Sequence, residues 1–349
     1  MTKLFVTGAT GYIGGDAVYA IAHAHPELEV TALVRNSDKG AKVAAQYPDF
    51  NLVYGDLDAT DLLTAEALKA DIVLHCAHAD HEGAANALVA GLGKKVDGKV
   101  GYLIHTSGTG MLSHADYVRK SYGVRSEKIF DDWDGVKEVT GMADDAIHRN
   151  VDKIILSAGT EYPGKVFSAV VAPPCINGPG RGPDNQDSGQ VNSMTRAILK
   201  RGKGFQVEEG NNLWTDVHVQ DLSNIYLSLV EDAIKGGKGA TWGPDAYYFA
   251  TKDDFVWGDV AKAIVKIAHE KKLIQTTEID KVSTSEADKL TPHGAYLWGM
   301  NSRSRAIRAK KLFNWQPKQK SVFEMLPDVI EKEARGLGLT VGHAAEAAG

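Results

Sequence analysis

Three glycines stand three residues apart near the start of the chain, in Thr7-Gly8-Ala9-Thr10-Gly11-Tyr12-Ile13-Gly14. An apolar run from Lys3 to Val6 precedes them, and helical apolar spacing at Ile13, Ala17, Ala20 and Ile21 follows. Strand, glycine turn and helix in that order are the setting for binding a dinucleotide pyrophosphate. Gly8 permits the tight turn, Gly11 leaves room for the phosphates, and Gly14 lets helix and strand pack closely. The helix N-terminus adds free N–H groups and the positive end of a dipole. About twenty positions further on, an NAD site usually carries an acidic residue on the ribose; here Val34 and Arg35 stand instead. With no carboxylate to repel a 2′-phosphate and a permanently charged guanidinium to hold one, NADP(H) is the expected cofactor and NAD(H) the alternative. Ser37 and Lys39 offer further donors from the same loop.

A second set of residues could move protons. Ser107 and Thr109 close an apolar run and could donate a hydroxyl to a substrate oxygen. His148 carries an imidazole, which titrates near neutrality; its bland alternative is a solvated helix position. Tyr117 and Tyr122 follow the same run, where a phenol could reach a nicotinamide or simply sit in a lid.

These residues need a frame. Further apolar runs at Glu29–Val34, Phe50–Tyr54, Asp71–Ala77, Val100–His105 and Val166–Val171 read as strands. Helical stretches lie between them, at Ser37–Tyr47 (capped by Ser37 or Asp38), Glu82–Lys94 and roughly 143–158. Strands alternating with helices predict an α/β fold, a doubly wound parallel sheet with helices on both faces. Ligands of such sheets sit outside the carboxyl ends of the strands. The loops at Gly8, Arg35, Asp56, Ala77, Thr106 and Pro173 therefore converge on one crevice. From about Pro174 the pattern is less regular, with helices expected near Gln190–Arg201, His218–Ile234, Phe255–Glu270 and Val322–Arg335. This predicts a cofactor domain over 1–173, a smaller substrate lobe over 174–335 and a Gly/Ala-rich tail over 336–349. Trp214, Trp242, Trp257, Trp298 and Trp315 fall in the second lobe, mostly as core, with one or two free to line an apolar pocket.

Composition narrows the function classes. A formal net charge of −6 over 349 residues argues against general affinity for nucleic acid or anionic membrane. The basic run Arg303, Arg305, Arg308, Lys310 and Lys311 reads as a solvated helix face. Two cysteines, Cys76 and Cys175, lie outside any metal or redox spacing and suit a reducing compartment. The chain enters its first strand at once and has no apolar stretch long enough for a bilayer. A cytoplasmic protein without a metal is expected, acting on a small molecule, with a homodimer as a possible assembly.

The sequence resembles the extended short-chain dehydrogenase/reductase family, which includes sugar-nucleotide epimerases and dehydratases. Thr7–Gly14 is similar to the family's cofactor motif, Gly55-Asp56-Leu57 to its adenine-contacting loop, and His75-Cys76-Ala77 to the loop after strand four. Pro173-Pro174-Cys175-Ile176-Asn177-Gly178-Pro179-Gly180 resembles the loop leading to the substrate lobe, and Trp214–Leu222 a later Val-His-Val-Asp-Asp stretch. The resemblance implies cofactor contacts at Gly8, Thr10, Gly11, Tyr12, Ile13, Gly14, Asp56, Leu57, Cys76, Ala77, Thr106, Pro173, Pro174, Cys175 and Ile176.

One departure limits it. Family enzymes place a Tyr, with a Lys four residues later, on the helix before strand six. Here that helix contains Asp144, His148, Arg149 and Lys153 at the candidate positions and no tyrosine. Tyr248 and Lys252 have the spacing but lie in the second lobe, where it reads as coincidence. The sequence therefore predicts an NADP(H)-dependent oxidoreductase acting on a small carbonyl or hydroxyl compound without the usual pair. Thr109, Ser107, His148 and Tyr117 are the catalytic candidates. The alternatives are a non-catalytic NAD(P) redox sensor and a cofactor-assisted epimerase or lyase.

Overall fold

The computed structural model describes residues 1–96 and 98–339. The expected tail, beyond residue 339, lies outside them. In chain order the elements of the first half are β1 (Lys3–Thr7), α1 (Tyr12–Ala24), β2 (Glu29–Val34), α2 (Ser37–Gln46), β3 (Asn51–Tyr54), α3 (Thr60–Lys69), β4 (Ile72–His75), α4 (Glu82–Gly93) and β5 (Gly101–Thr106). After a 3₁₀ turn at Thr109–Ser113 come α5 (His114–Arg119), β6 (Phe130–Asp131), α6 (Val136–Thr140), α7 (Arg149–Glu161) and β7 (Val166–Ala172). The second half contributes β8 (Cys175–Asn177), α8 (Gln190–Arg201), β9 (Gly204–Val207), β10 (Leu213–His218), α9 (Val219–Ile234), β11 (Tyr247–Phe249) and β12 (Asp254–Val256). It ends with α10 (Trp257–Glu270), β13 (Ile279–Val282), α11 (Thr284–Leu290), α12 (Gly294–Gly299), β14 (Ser304–Arg305), α13 (Ile307–Phe313) and α14 (Val322–Gly336).

Among these residues the main sheet has seven parallel strands in the order β11-β7-β5-β4-β1-β2-β3. Strands covered on both faces read as continuous apolar runs, and β4 and β5 are buried at every position. Helices α3, α4 and α7 pack together, and α1 packs on α9. The strand order reverses between β1 and β4, where Thr7 pairs with His75. That switch point opens a crevice above the sheet.

Ile198, Phe205, Trp257, Ile264, Trp298 and Leu326 centre a second core, around α8, α10 and α14. The division expected at residue 173 is crossed by the chain. Helix α9 and strand β11 return to the first core, and Tyr247–Phe249 extends the sheet beside β7. Trp315 also belongs to that core and Trp242 packs against it, so only Trp214, Trp257 and Trp298 group in the second.

Three local expectations are corrected. Helix α2 is capped by Asn36, whose side chain accepts from Lys39 N at 3.0 Å, rather than by Ser37 or Asp38. Helix α7 begins at Arg149, not near residue 143, because His148 sits in the left-handed region at φ 70° and breaks the helical ladder. Asp144 is thereby removed from the helix. The basic run is a solvated face only at Lys310 and Lys311, which are exposed on α13. Arg303 and Arg305 bind Asp254, and buried Arg308 donates to the carbonyls of Asp132 and Tyr247.

Candidate active site

The crevice is built mainly from backbone. Gly8 holds φ 87°, and a Cβ there would lie 2.6 Å from the carbonyl carbon of Cys76. A Cβ on Gly14 would lie 2.4 Å from Gly8 O, so helix and strand touch through these glycines. Gly11 differs: its Cβ would meet only Gly8 O, at 3.2 Å, and otherwise faces open space. Helix α1 starts with no capping side chain and no acid in its first turn. Its orphan N–H groups and dipole end are left for a ligand. Glycine cradle, open face and uncapped helix fit the pyrophosphate of a nicotinamide dinucleotide.

Gly11, Tyr12, Ile13, Cys76, Ala77 and Ile176 line a cleft of about 390 Å³ here, as does Pro174. Thr10 accepts Asn185 N through its carbonyl at 3.2 Å. The Tyr12 hydroxyl donates to Asn177 O at 2.9 Å, and burial first, then nearby Asp16, pushes its pKa well up. Arg35 is exposed at the end of β2 and makes no ion pair among the described residues. Lys39, by contrast, is engaged with Asp184, as is Lys42. Asp56 is exposed and accepts Asp58 N at 3.0 Å, while Leu57 packs on the first core.

Two expected cofactor contacts turn elsewhere. The Cys175 side chain is fully buried in the second core. The Thr106 hydroxyl is taken by Tyr226 at 2.7 Å and Cys76 Sγ at 3.1 Å. Cys76 is half-buried at the cleft, and burial pushes its thiol up to about 12, against the bond from Thr106.

A larger cavity of about 700 Å³ adjoins the cleft, and Pro174 and Gln190 line both. The loop after β5, the turn before α7 and helix α12 frame it. His148 stands in its wall, with Nδ1 2.7 Å from Asp80 Oδ1. Burial works to raise the Asp80 carboxyl, but the bond to His148 and its charge outweigh that and hold it below the ordinary value. With Nδ1 engaged by the Asp80 carboxylate, Nε2 is the ring nitrogen left for another partner. Nε2 lies over Gly108, where a Cβ would come within 3.0 Å. A left-handed non-glycine residue is strained, and such strain gathers at functional sites.

The other candidates divide. Thr109 lines the cavity, but its Oγ1 accepts from Ser302 Oγ at 2.9 Å. Ser107 turns away: its hydroxyl donates to Asp152 Oδ2 at 3.0 Å, in a sealed cluster with the Tyr247 hydroxyl. Burial first raises Asp152 to about 6, against the bonds from Ser107 and Tyr247. Tyr117, 56% exposed, stands at the rim. Tyr122 lines the cavity too. Tyr248 bonds Thr241 and stacks on Phe313, so its spacing to Lys252 is structural. His218 caps α9 by accepting Gln220 N, as a junction histidine would.

The sequence reading missed Asp80, Gln190 and Tyr296. The Tyr296 hydroxyl donates to Gly110 O at 2.5 Å, and burial lifts it to about 12, so its proton is committed. Nothing in the local sequence marks Asp80, which stands 68 positions from its partner.

Sheet order, switch-point crevice and adjoining cavity define a Rossmann-type α/β protein. Residues 3–96 match the family model described as semialdehyde dehydrogenase, NAD binding domain. The chain is 36% identical over 345 residues to oxidase ucsJ of Acremonium sp, covering 97% of this chain and 99% of that one. Among solved structures, it resembles dTDP-glucose 4,6-dehydratase of Bacillus anthracis, in complex with NAD, at a TM-score of 0.64 and 14% identity, over 97% of this chain and 98% of the other. UDP-glucose 4-epimerase of Thermotoga maritima gives 0.62 and 15%, over 96% and 100%. The chain belongs to the same family as oxidase ucsJ, and it shares its fold with the NAD-bound dehydratase and the epimerase. No helix among its described residues is long and apolar enough to cross a membrane.

Proposed function

We propose that this protein is an NADP(H)-dependent oxidoreductase in which His148, oriented by Asp80, takes the acid–base role that family relatives give to a tyrosine. The observation that carries it is the His148 ring: one nitrogen is fixed on a carboxylate and the other is open to a cavity that joins the crevice. A nicotinamide dinucleotide bound along the crevice supplies the hydride acceptor or donor. In oxidation, His148 Nε2 takes the proton of a substrate hydroxyl; in reduction it returns that proton to the carbonyl oxygen. Asp80 stabilises the imidazolium and holds the ring's tautomer, as a carboxylate beside a catalytic histidine does. Thr109, and Tyr117 from the rim, bound the substrate, and the second lobe supplies most of the opposite wall. Arg35 supplies the charge for a 2′-phosphate.

A sensor would need no such cavity, so its presence favours the enzyme. The test is His148→Ala against wild type, followed as kcat/KM across pH 5 to 9 with dinucleotide binding measured separately. Loss of about 100-fold with cofactor affinity kept supports the role. An unchanged rate and pH profile refutes it.

A further inference from the structure

The larger cavity tells what kind of molecule His148 would meet. Its walls are apolar and aromatic, with Met111, Tyr122, Trp214, Tyr296, Leu297 and Met300 facing inward. Its charged members, among the described residues, are the carboxylates Asp145 and Asp288. His114 and His293 also line it, but neither lysine nor arginine does. A diphosphate or carboxylate taken into it would meet no lysine or arginine, while Asp145, beside His114, and Asp288 stand exposed at its edge, and an unpaired buried ion is expensive. Enzymes that hold phosphates do so with arginine or lysine forks. The sugar nucleotide bound by the structurally similar epimerase therefore does not suit this chamber. Size points the same way. At about 700 Å³ the cavity is in the range that encloses a drug-sized ligand, roughly 300–1,000 Å³, and far exceeds a simple aldehyde. Aromatic walls also favour flat rings, through offset and edge contacts.

We infer that the substrate is an uncharged molecule built on a planar aromatic ring system, with one hydroxyl or carbonyl group presented to His148. This rests on the oxidoreductase reading for the group that reacts, but its recognition is testable without turnover. Full-length protein saturated with NADP⁺ is titrated by calorimetry with acetylnaphthalene, with acetylnaphthoate as its carboxylated counterpart, and with UDP-glucose. Acetylnaphthalene is expected to bind about tenfold or more tighter than acetylnaphthoate, and UDP-glucose to give no saturable heat. In Leu297→Arg a cation enters the wall, and acetylnaphthoate should gain about tenfold from one charge-assisted bond. Equal or tighter wild-type binding of either anion, or no binding of acetylnaphthalene, overturns the inference. The same titrations in His148→Ala separate the two readings. If the binding order persists there while activity is unchanged, only the acid–base role falls. If the order fails in wild type while His148→Ala loses activity, only the substrate class falls.

Discussion

The crevice and the cavity share Pro174 and Gln190 but are made in different ways. The crevice is a backbone device: its shape comes from Gly8 and Gly14, and its charge from the end of α1. The cavity is a side-chain device, assembled from the loop after β5, the strained turn at His148 and helix α12. A backbone site is specified by a few glycines within one short segment. A side-chain site depends on residues that meet only after the chain has folded, so it can be rebuilt while the crevice stays unchanged.

Substitutions should separate the two. The largest effect is expected from Gly11→Val, whose side chain enters the open phosphate space. Dinucleotide affinity should fall by about a thousandfold with the circular dichroism spectrum intact, and unchanged affinity would break the assignment of the crevice. Next is the orienting carboxylate. Asp80→Asn should lower kcat by about tenfold or more, because an amide can present the wrong group to Nδ1; KM and cofactor affinity should hold. A fall in cofactor affinity instead would show that the two sites are not separable. Arg35→Ala should weaken NADPH by about tenfold and leave NADH alone; equal wild-type affinities for the two would refute the NADP(H) preference.

The smallest effect concerns Asp152, buried against the hydroxyls of Ser107 and Tyr247 with a pKa raised to about 6. The sign follows from linkage. A carboxyl with a folded pKa above its unfolded one, about 3.9, stabilises the fold when protonated and loses that stabilisation as pH rises through about 6. The stability of Asp152→Asn relative to wild type should therefore rise from pH 5 to pH 8, by about 1 kcal/mol. Urea melts at the two pH values measure it, and a flat difference would mean that Asp152 stays ionised in its pocket.

What could be read in the sequence follows the same division. Strands β1, β2, β4, β5 and β7 are apolar runs buried by neighbours on both sides, so they stand out without knowledge of the partner. Tyr247–Phe249 also reads as a strand, but as one of the second lobe; its place beside β7 in the first sheet is fixed only by packing. The Asp80–His148 bond joins the loop after β4 to the start of α7, and no spacing rule links such positions. The helix reads as starting near residue 143 because residues 143–146 have helical composition, whereas His148 adopts a left-handed turn. Ser107 was placed at the correct strand end, but only packing shows that its hydroxyl faces Asp152 rather than the cavity.

The return of α9 and β11 to the first core governs how such a protein can change. Cutting or exchanging the chain at residue 173 would strip β11 from β7 and bare the edge of a strand that is buried at all positions but Phe167, the kind that invites edge-to-edge aggregation. It would also uncover the face of α1 that rests on α9. Shuffling of the second lobe between relatives is thus closed off as a route to new substrates. Divergence must proceed residue by residue along the loops that frame the cavity, while both lobes are inherited as a single unit.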